Sequence, residues 1–255
     1  MSYEEALRRI ERWVVRGSIK RWLNLDKCNL TELPPLPENL RKLNISCNPI
    51  TSLECLPLKL KKLDVTSTNI TTLEDLPNEL TYLVCIGCKK IIHINILVDR
   101  INYLNMDLCE YVKTIRRLPN DLRIFNANLC HSLIYIKSFS PNIRWLSIND
   151  NWLRSVPSLP ETLRLFQCNG ARLRKCPVLP QSLKILYLVC NSLTKFPKLP
   201  NSIEKVQIQG NCIENINPDI LPQSIISLCT DMHNNSKLNF NIYYENTYTF
   251  SELIK

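Results

Sequence analysis

Across Leu40 to Leu60, LRKLNISCNPITSLECLPLKL, apolar side chains fall at Leu40, Leu43, Ile45, Ile50, Leu53 and Leu56, with Asn48 between the two groups. Neither a helix of period 3.6 nor a strand of period 2 has that spacing. It predicts one coil: a short strand at Leu43-Asn44-Ile45, a turn closed by Asn48, and an extended return. The next block, Leu60 to Leu80, repeats it with Leu63, Val65, Thr68, Ile70, Leu73 and Leu76-Pro77. Self-similarity at about twenty residues marks a solenoid, in which no coil buries its apolar edge alone and each must stack on its neighbours.

Aligned on the first apolar strand residue, eleven coils begin at Leu23, Leu43, Leu63, Leu83, Leu104, Phe125, Leu146, Phe166, Leu186, Val206 and Leu228. Their steps are 20, 20, 20, 21, 21, 21, 20, 20, 20 and 22 residues. So short a period leaves no room for a helical return. Leu33-Pro34-Pro35-Leu36-Pro37, Leu159-Pro160 and Leu199-Pro200 favour extended polyproline geometry there. The expected fold is an α/β solenoid of one domain, 1–255, right-handed and curved, with a parallel concave sheet of about eleven very short strands and an extended convex side. Residues 1–17 form a helical cap, 18–233 the repeats, and 234–255 a C-terminal cap sealed by Phe240, Tyr243, Tyr244, Tyr248 and Phe250.

The cap helix is read over 2–16, SYEEALRRIERWVVR, with Ser2 and Glu5 as a capping-box pair and Gly17 as the stop. Tyr3, Ala6, Leu7, Ile10, Trp13 and Val14 make an apolar stripe, with Arg8, Arg9, Glu11, Arg12 and Arg16 on the other side. A basic amphipathic helix can also lie on a membrane. The open core of a first coil needs a lid, and that reading is preferred.

At 45% hydrophobic and 22% charged, the chain has the apolar content for a substantial core and falls outside the disordered range. No apolar run reaches membrane-spanning length, and the N-terminus shows no charged-then-apolar leader pattern. Twelve cysteines would fit a secreted disulfide scaffold. Their register points elsewhere. The column after the strand reads Cys28, Asn48, Thr68, Cys88, Cys109, Cys130, Asn151, Ala171, Asn191, Asn211 and His233. It turns inward, where its polar groups meet backbone groups of adjacent coils. Cys85, Cys168 and Cys176 take inward leucine-type positions. The thiols are therefore read as reduced and mostly buried, which places the protein in the cytoplasm. Cys85-Ile86-Gly87-Cys88 lacks the second pair or the histidines of a metal site, so neither metal nor other cofactor is expected.

The pattern Leu-Pro-x-Leu-Pro-x-x-Leu-x-x-Leu-x-x-x-x-Asn-x-Leu-Thr, as in Leu179-Pro180-Gln181-Ser182-Leu183 through Asn191-Ser192-Leu193-Thr194, resembles the LPX-type leucine-rich repeats of bacterial type III effectors, the YopM and IpaH/SspH group. The resemblance covers about residues 5–233 and includes the helical cap. Coils four to six depart from it, since Ile91–Ile101, Ile115–Leu122 and Ile136–Ile143 lack the doubled Leu-Pro. Similar repeats occur in large DNA viruses. In the IpaH group the repeats select substrate, and a separate helical domain carries a ubiquitin-ligase cysteine followed by x-Asp. Cys229-Thr230-Asp231 matches that tripeptide by letter only: it falls in the last repeat strand, with 24 residues after it. No Ser/His/Asp order, paired-acid cleft or glycine-rich phosphate loop is recognisable, and His93, His131 and His233 stand apart. The resemblance implies a non-enzymatic, effector-like binding scaffold acting in the cytoplasm, a host's if the chain is an effector or viral protein.

Function then lies on side chains the fold does not need. Two positions before the strand leucine stand Arg21, Arg41, Lys61, Thr81, Asn102, Arg123, Arg144, Arg164, Lys184, Glu204 and Ile226, seven of them basic. Strand neighbours lie about 4.8 Å apart, so these residues form a ladder along one rim. One position before the leucine come Trp22, Lys42, Lys62, Tyr82, Tyr103, Ile124, Trp145, Leu165, Ile185, Lys205 and Ser227. Within the strand come amide-rich residues such as Asn24, Asn44, Asn105, Asn126 and Gln167, with Tyr187 among them. Tyr82, Val84, Ile86, Tyr103 and Trp145 make the middle coils the most apolar, and an exposed patch of that kind marks a contact site. The expected partner is a protein with an acidic surface, bound by the seven basic ladder residues together with Tyr82, Ile86, Tyr103, Trp145 and Tyr187. Assembly into a virus particle is one alternative. Nucleic-acid binding through the ladder is another, disfavoured because Asp26, Asp64, Asp107, Asp150 and Asp231 interrupt the face.

Overall fold

Ten successive steps of the repeat become ten parallel strand pairings. Leu23 stands opposite Leu43, Leu43 opposite Leu63, and the same register runs through Leu83, Leu104, Phe125, Leu146, Phe166, Leu186 and Val206 to Leu228. A computed structural model of the chain describes residues 3–95, 97–153 and 155–230. In chain order these hold α1 (Tyr3–Arg16), β1 (Leu23–Asn24), β2 (Lys42–Asn44), β3 (Lys62–Asp64), β4 (Tyr82–Val84), β5 (His93–Ile94), β6 (Tyr103–Asn105), β7 (Thr114–Ile115), β8 (Ile124–Asn126), β9 (Tyr135–Ile136), β10 (Trp145–Ser147), β11 (Leu165–Gln167), β12 (Ile185–Tyr187), β13 (Lys205–Gln207) and β14 (Ser227–Cys229). Eleven of the strands make one sheet in the order β1-β2-β3-β4-β6-β8-β10-β11-β12-β13-β14. β2 sits one residue earlier than the Leu43–Ile45 reading, because the pairing begins at the residue before the leucine.

The repeat leucines close the core. Leu40, Leu43, Ile45, Ile50 and Leu60 are fully buried, and their counterparts continue through Phe125, Phe166 and Ile203. The inward polar column stitches the coils together. Asn48 donates through Nδ2 to the Leu25 and Ile45 carbonyls, 2.9 Å each, while its Oδ1 accepts the Leu30 N–H at 2.9 Å. Asn191 repeats this with Cys168 and Leu188 as acceptors and the Leu173 N–H as donor. In the central coils the S–H groups of Cys88, Cys109 and Cys130 donate across coils to the Val65, Cys85 and Met106 carbonyls at 3.1, 3.0 and 3.2 Å.

The convex returns are extended apart from a 3-10 turn at Pro218–Ile220 in the tenth coil, and three of them are more than extended. β5, β7 and β9 pair into a second parallel sheet, which a plain extended return does not anticipate. These are the coils without the doubled Leu-Pro, and their β-branched Ile91, Ile92, Ile94, Ile115 and Ile136 suit a pleated ladder that proline would interrupt.

The cap is narrower than the predicted stripe. Ala6, Ile10 and Trp13 are buried on the first coil, whereas Tyr3, Leu7 and Val14 are exposed. A coil edge one strand wide accepts only the central row of the helix face. Trp13 fixes the helix by donating its Nε1–H to the Arg21 carbonyl at 3.3 Å. Gly17 ends it in the left-handed region at φ 63°, as read. Ser2, His233 and the aromatic residues of 234–255 lie outside the described residues.

One column escaped the sequence reading. Lys27, Cys47, Ser67, Gly87, Leu108, Leu129, Asp150, Gly170, Cys190 and Gly210, one per coil, all have positive φ. Only Gly87, Gly170 and Gly210 meet that demand without a side-chain penalty. The turn is imposed by stacking, whatever residue occupies it.

Candidate outer-face binding site

The basic ladder is real in space and falls into two runs. Arg21, Arg41 and Lys61 precede β1, β2 and β3; Arg123, Arg144, Arg164 and Lys184 precede β8, β10, β11 and β12. Backbone bonding holds them in line: the Arg123 carbonyl accepts the Arg144 and Trp145 N–H groups, and the Arg144 carbonyl those of Arg164 and Leu165. Thr81 and Asn102 separate the runs. Arg21, Arg123 and Lys184 are exposed and the other four half-buried. Lys184 is paired with Glu204 at 2.7 Å. Arg123 and Arg144 line a cleft of about 140 Å³ with Asp121, Asn142 and Thr162.

Between the runs lies an aromatic step. The Tyr82 and Tyr103 rings stack at 4.4 Å with planes 9° apart, and Lys62 Nζ sits 5.0 Å from the Tyr82 ring centre. Trp22 meets Tyr82 edge-on at 6.4 Å. Burial and the adjoining Tyr103 push the Tyr82 phenol up to about 12, so it is a neutral donor at any physiological pH.

The apolar patch is less open than the sequence indicates. Val84 is buried, and Tyr82, Ile86, Tyr103, Trp145 and Tyr187 are half-buried. Leu165 and Ile185 point to the same face yet are 4% and 2% exposed, because Trp145 and Tyr187 fold over them. A second, shallow core therefore spans coils seven to nine on the outer face. Leu165 and Ile185, adjacent aliphatic residues in a column that elsewhere is mostly Lys, Tyr or Trp, were its signal in the sequence.

The amides of the strand column also have work inside the fold. Side-chain oxygens of Asn24, Asn44, Asp64 and Asn105 each accept the N–H two residues on, at 3.2, 2.9, 2.9 and 2.9 Å. From coil five the task passes to another column: Asp107, Asn128, Asn149 and Asn169 each accept an N–H from the next coil, at 2.7 to 2.9 Å. This asparagine ladder was missed, although the four Asx residues at one repeat position spell it out.

The cysteines stand mostly where their register puts them. Cys28, Cys85, Cys88, Cys109, Cys130 and Cys168 are buried, Cys176 lies against the core, and all twelve are free thiols. Burial raises Cys88 to about 11 and Cys168 and Cys176 to about 12, so these are neutral thiols and poor nucleophiles. The Cys109 thiol beside it, together with burial, holds Cys85 well above its ordinary range. Cys47, Cys55, Cys190 and Cys212 are exposed. Among the described residues no cluster of three His, Cys, Asp or Glu could hold a metal, and no helix is long and apolar enough to cross a membrane. Cys229 ends the last strand, as read, and Asp231 lies outside the described residues.

The fold is that of a leucine-rich-repeat protein, a class of stacked coils whose extended concave surface serves as an interaction platform. The family model Leucine Rich Repeat matches residues 39–58, one coil. The chain is also similar in structure to YopM from Yersinia enterocolitica, at 26% identity and a TM-score of 0.68, over 89% of this chain and 50% of that one. It thus spans about half the length of that YopM chain. A YopM structure from Yersinia pestis is matched at 20% identity over 89% of this chain and 92% of that one, with a TM-score of 0.34. No curated protein matches the chain. The resemblance to effector-type repeats read from the Leu-Pro pattern holds.

Proposed function

We propose that the protein is a non-enzymatic recognition scaffold of effector type, binding an acidic protein partner across the concave, outer face of its long sheet in a reducing, cytoplasmic setting. One observation carries this reading. Arg123, Arg144, Arg164 and Lys184 stand directly before four adjacent strands, and none of these side chains belongs to the repeat core. Like charges at strand spacing oppose folding, and Glu204, which pairs with Lys184 at 2.7 Å, does not offset the three stacked arginines. An acidic partner does. The Tyr82–Tyr103 stack beside this run offers a rigid aromatic anchor, the residue type that dominates interface energetics. Buried neutral thiols in the cysteine column accord with a reducing compartment. A nucleic acid is a poorer fit, because Asp64 and Asp121 share the face and its cleft. Capture from cytosolic extract, read by mass spectrometry, tests the reading. Wild-type protein should retain a small set of acidic proteins that the Arg123→Glu, Arg144→Glu, Arg164→Glu variant loses. Identical sets on both, or retention of nucleic acid alone, would overturn it.

A further inference from the structure

The cap helix and the first coil enclose a cleft of about 190 Å³ that the repeat pattern does not require. Its walls carry Arg9, Arg12 and Arg16 from α1 and Arg21 and Trp22 from the first coil, with Trp13 at the junction. Four guanidinium groups thus converge on one opening. The local acids cannot neutralise them. Arg9 is satisfied, paired with Glu5 at 3.3 Å and Asp26 at 3.1 Å. Glu5 is also the acid nearest Arg12, 3.7 Å away, and it is shared with Arg8 at 3.7 Å. Arg16 and Arg21 have no ion-pair partner among the described residues, and both are exposed. Beside them the Trp22 ring is 39% exposed, steadied by its edge contact with Tyr82.

We infer that this cleft captures an acidic segment of a partner protein, with Arg12, Arg16 and Arg21 holding carboxylates and Trp22 supporting the adjoining side chain. Guanidinium forks suit carboxylates, which they can grip with two parallel hydrogen bonds. A short peptide is favoured over a longer polyanion. The excess charge is confined to this opening, and Asn24, Asp26 and then Asp64 stand where a phosphate backbone would have to continue along the face. The cleft also opens beside Trp22, the first ring of the row that continues through Tyr82 to Tyr103. A chain anchored here is led onto the outer face. The inference deepens the scaffold reading by giving the partner an end point, and it rests on that reading for its partner.

The test is fluorescence anisotropy of a fluorescein-labelled peptide, Glu-Glu-Asp-Leu-Glu-Glu, titrated with the full chain. Binding should be saturable and weaken steeply with salt. Arg16→Glu with Arg21→Glu should reduce affinity at least tenfold, and the milder Arg16→Gln with Arg21→Gln should reduce it severalfold without a charge-reversal effect on the helix end. Trp22→Ala should weaken binding about fivefold. Arg174→Glu with Lys175→Glu, which alters net charge equally at exposed positions far along the chain, should leave affinity unchanged. Equal weakening by that control pair, or by none of the variants, overturns the site. So does a single-stranded oligonucleotide of equal charge that binds more tightly than the peptide. Tyr103→Ala should leave peptide affinity intact; peptide binding that survives while Tyr103→Ala has no effect on partner capture upholds the cleft and removes the central outer face from the scaffold reading.

Discussion

In the flanking coils, Asn48, Asn191 and Asn211 each bridge neighbours with two or more donated bonds and at least one accepted N–H. In the central coils, Cys88, Cys109 and Cys130 donate one S–H bond across coils and accept no such N–H. The central coils also carry one more residue, directly after the cysteine: Cys109-Glu110-Tyr111-Val112 and Cys130-His131-Ser132-Leu133, against Asn48-Pro49-Ile50 and Asn191-Ser192-Leu193. That residue closes a turn in which the Val112 N–H reaches the Cys109 carbonyl at 3.1 Å and the Leu133 N–H the Cys130 carbonyl at 2.8 Å. The return amide is then satisfied within its own coil. In these coils insertion and cysteine go together, whereas Cys28 stands in a coil without the insertion and leaves its Leu30 N–H to Asn48 of the next; a coil that satisfies its own amide needs no asparagine above it. The seam between the two solutions bears this out. Asn151 follows the last cysteine coil and still donates to the Ala127 carbonyl at 2.6 Å, but its buried Oδ1 has no partner, because the Leu133 N–H is already taken.

The largest consequence is alkaline instability. Burial raises the folded thiols above the ordinary 9.0, to about 11 for Cys88 and about 12 for Cys168 and Cys176. Above pH 9 the unfolded chain releases thiol protons that the folded chain keeps, so stability is intact below that pH and falls as pH rises toward 11 to 12. Each such thiol contributes a slope of about 1.4 kcal/mol per pH unit, and three together about 4 kcal/mol per pH unit. Urea unfolding from pH 8 to 11 should show this fall. Burial raises the Cys130 thiol as well, so Cys88→Thr with Cys130→Thr, which places at both positions the residue that Thr68 supplies in the same column, should make it shallower. An unchanged slope would contradict the burial of these thiols.

Asparagine removal comes next. Asn191→Ala strands the Leu173 N–H and the Cys168 and Leu188 carbonyls inside the stack, and should cost about 3 kcal/mol in urea unfolding at pH 7. A cost below about 1 kcal/mol would mean water replaces the bridge. Asn151→Cys should be the mildest of the three, within about 1 kcal/mol of wild type, because it removes an unpaired acceptor and restores the donor used one coil earlier. A loss comparable to that of Asn191→Ala would show that Asn151 is fully engaged and that the seam is not strained.

What the sequence made legible follows the same division. A period of twenty or twenty-one residues marks nearly every coil, because each inward leucine must meet its neighbour; the eleven strand registers were readable for that reason. The cysteine column was readable too, since an inward slot of fixed size admits few residue types. The second sheet was not. Its pairing depends on three adjacent returns being alike, and no single coil contains that information. The outer face was readable by position but not by exposure. Nothing local states that Trp145 and Tyr187 lie down over Leu165 and Ile185, since the cover comes from coils about twenty residues away. For this reason Trp145→Ala is a poor probe of binding: it uncovers Leu165 and Ile185 as well as removing a ring.

The most direct test of the account is the association and dissociation kinetics of a captured partner on two variants, Arg123→Glu with Arg144→Glu and Arg164→Glu, and Tyr103→Ala. The charge-reversed protein should associate more slowly and with less dependence on salt, its dissociation little changed. Tyr103→Ala should associate normally and dissociate faster, by a factor corresponding to about 1–3 kcal/mol for a central aromatic anchor. Both should unfold as wild type does, since none of the four side chains lies in the repeat core. If both variants stay folded and bind with unchanged rates, the partner does not sit on the outer face of the long sheet.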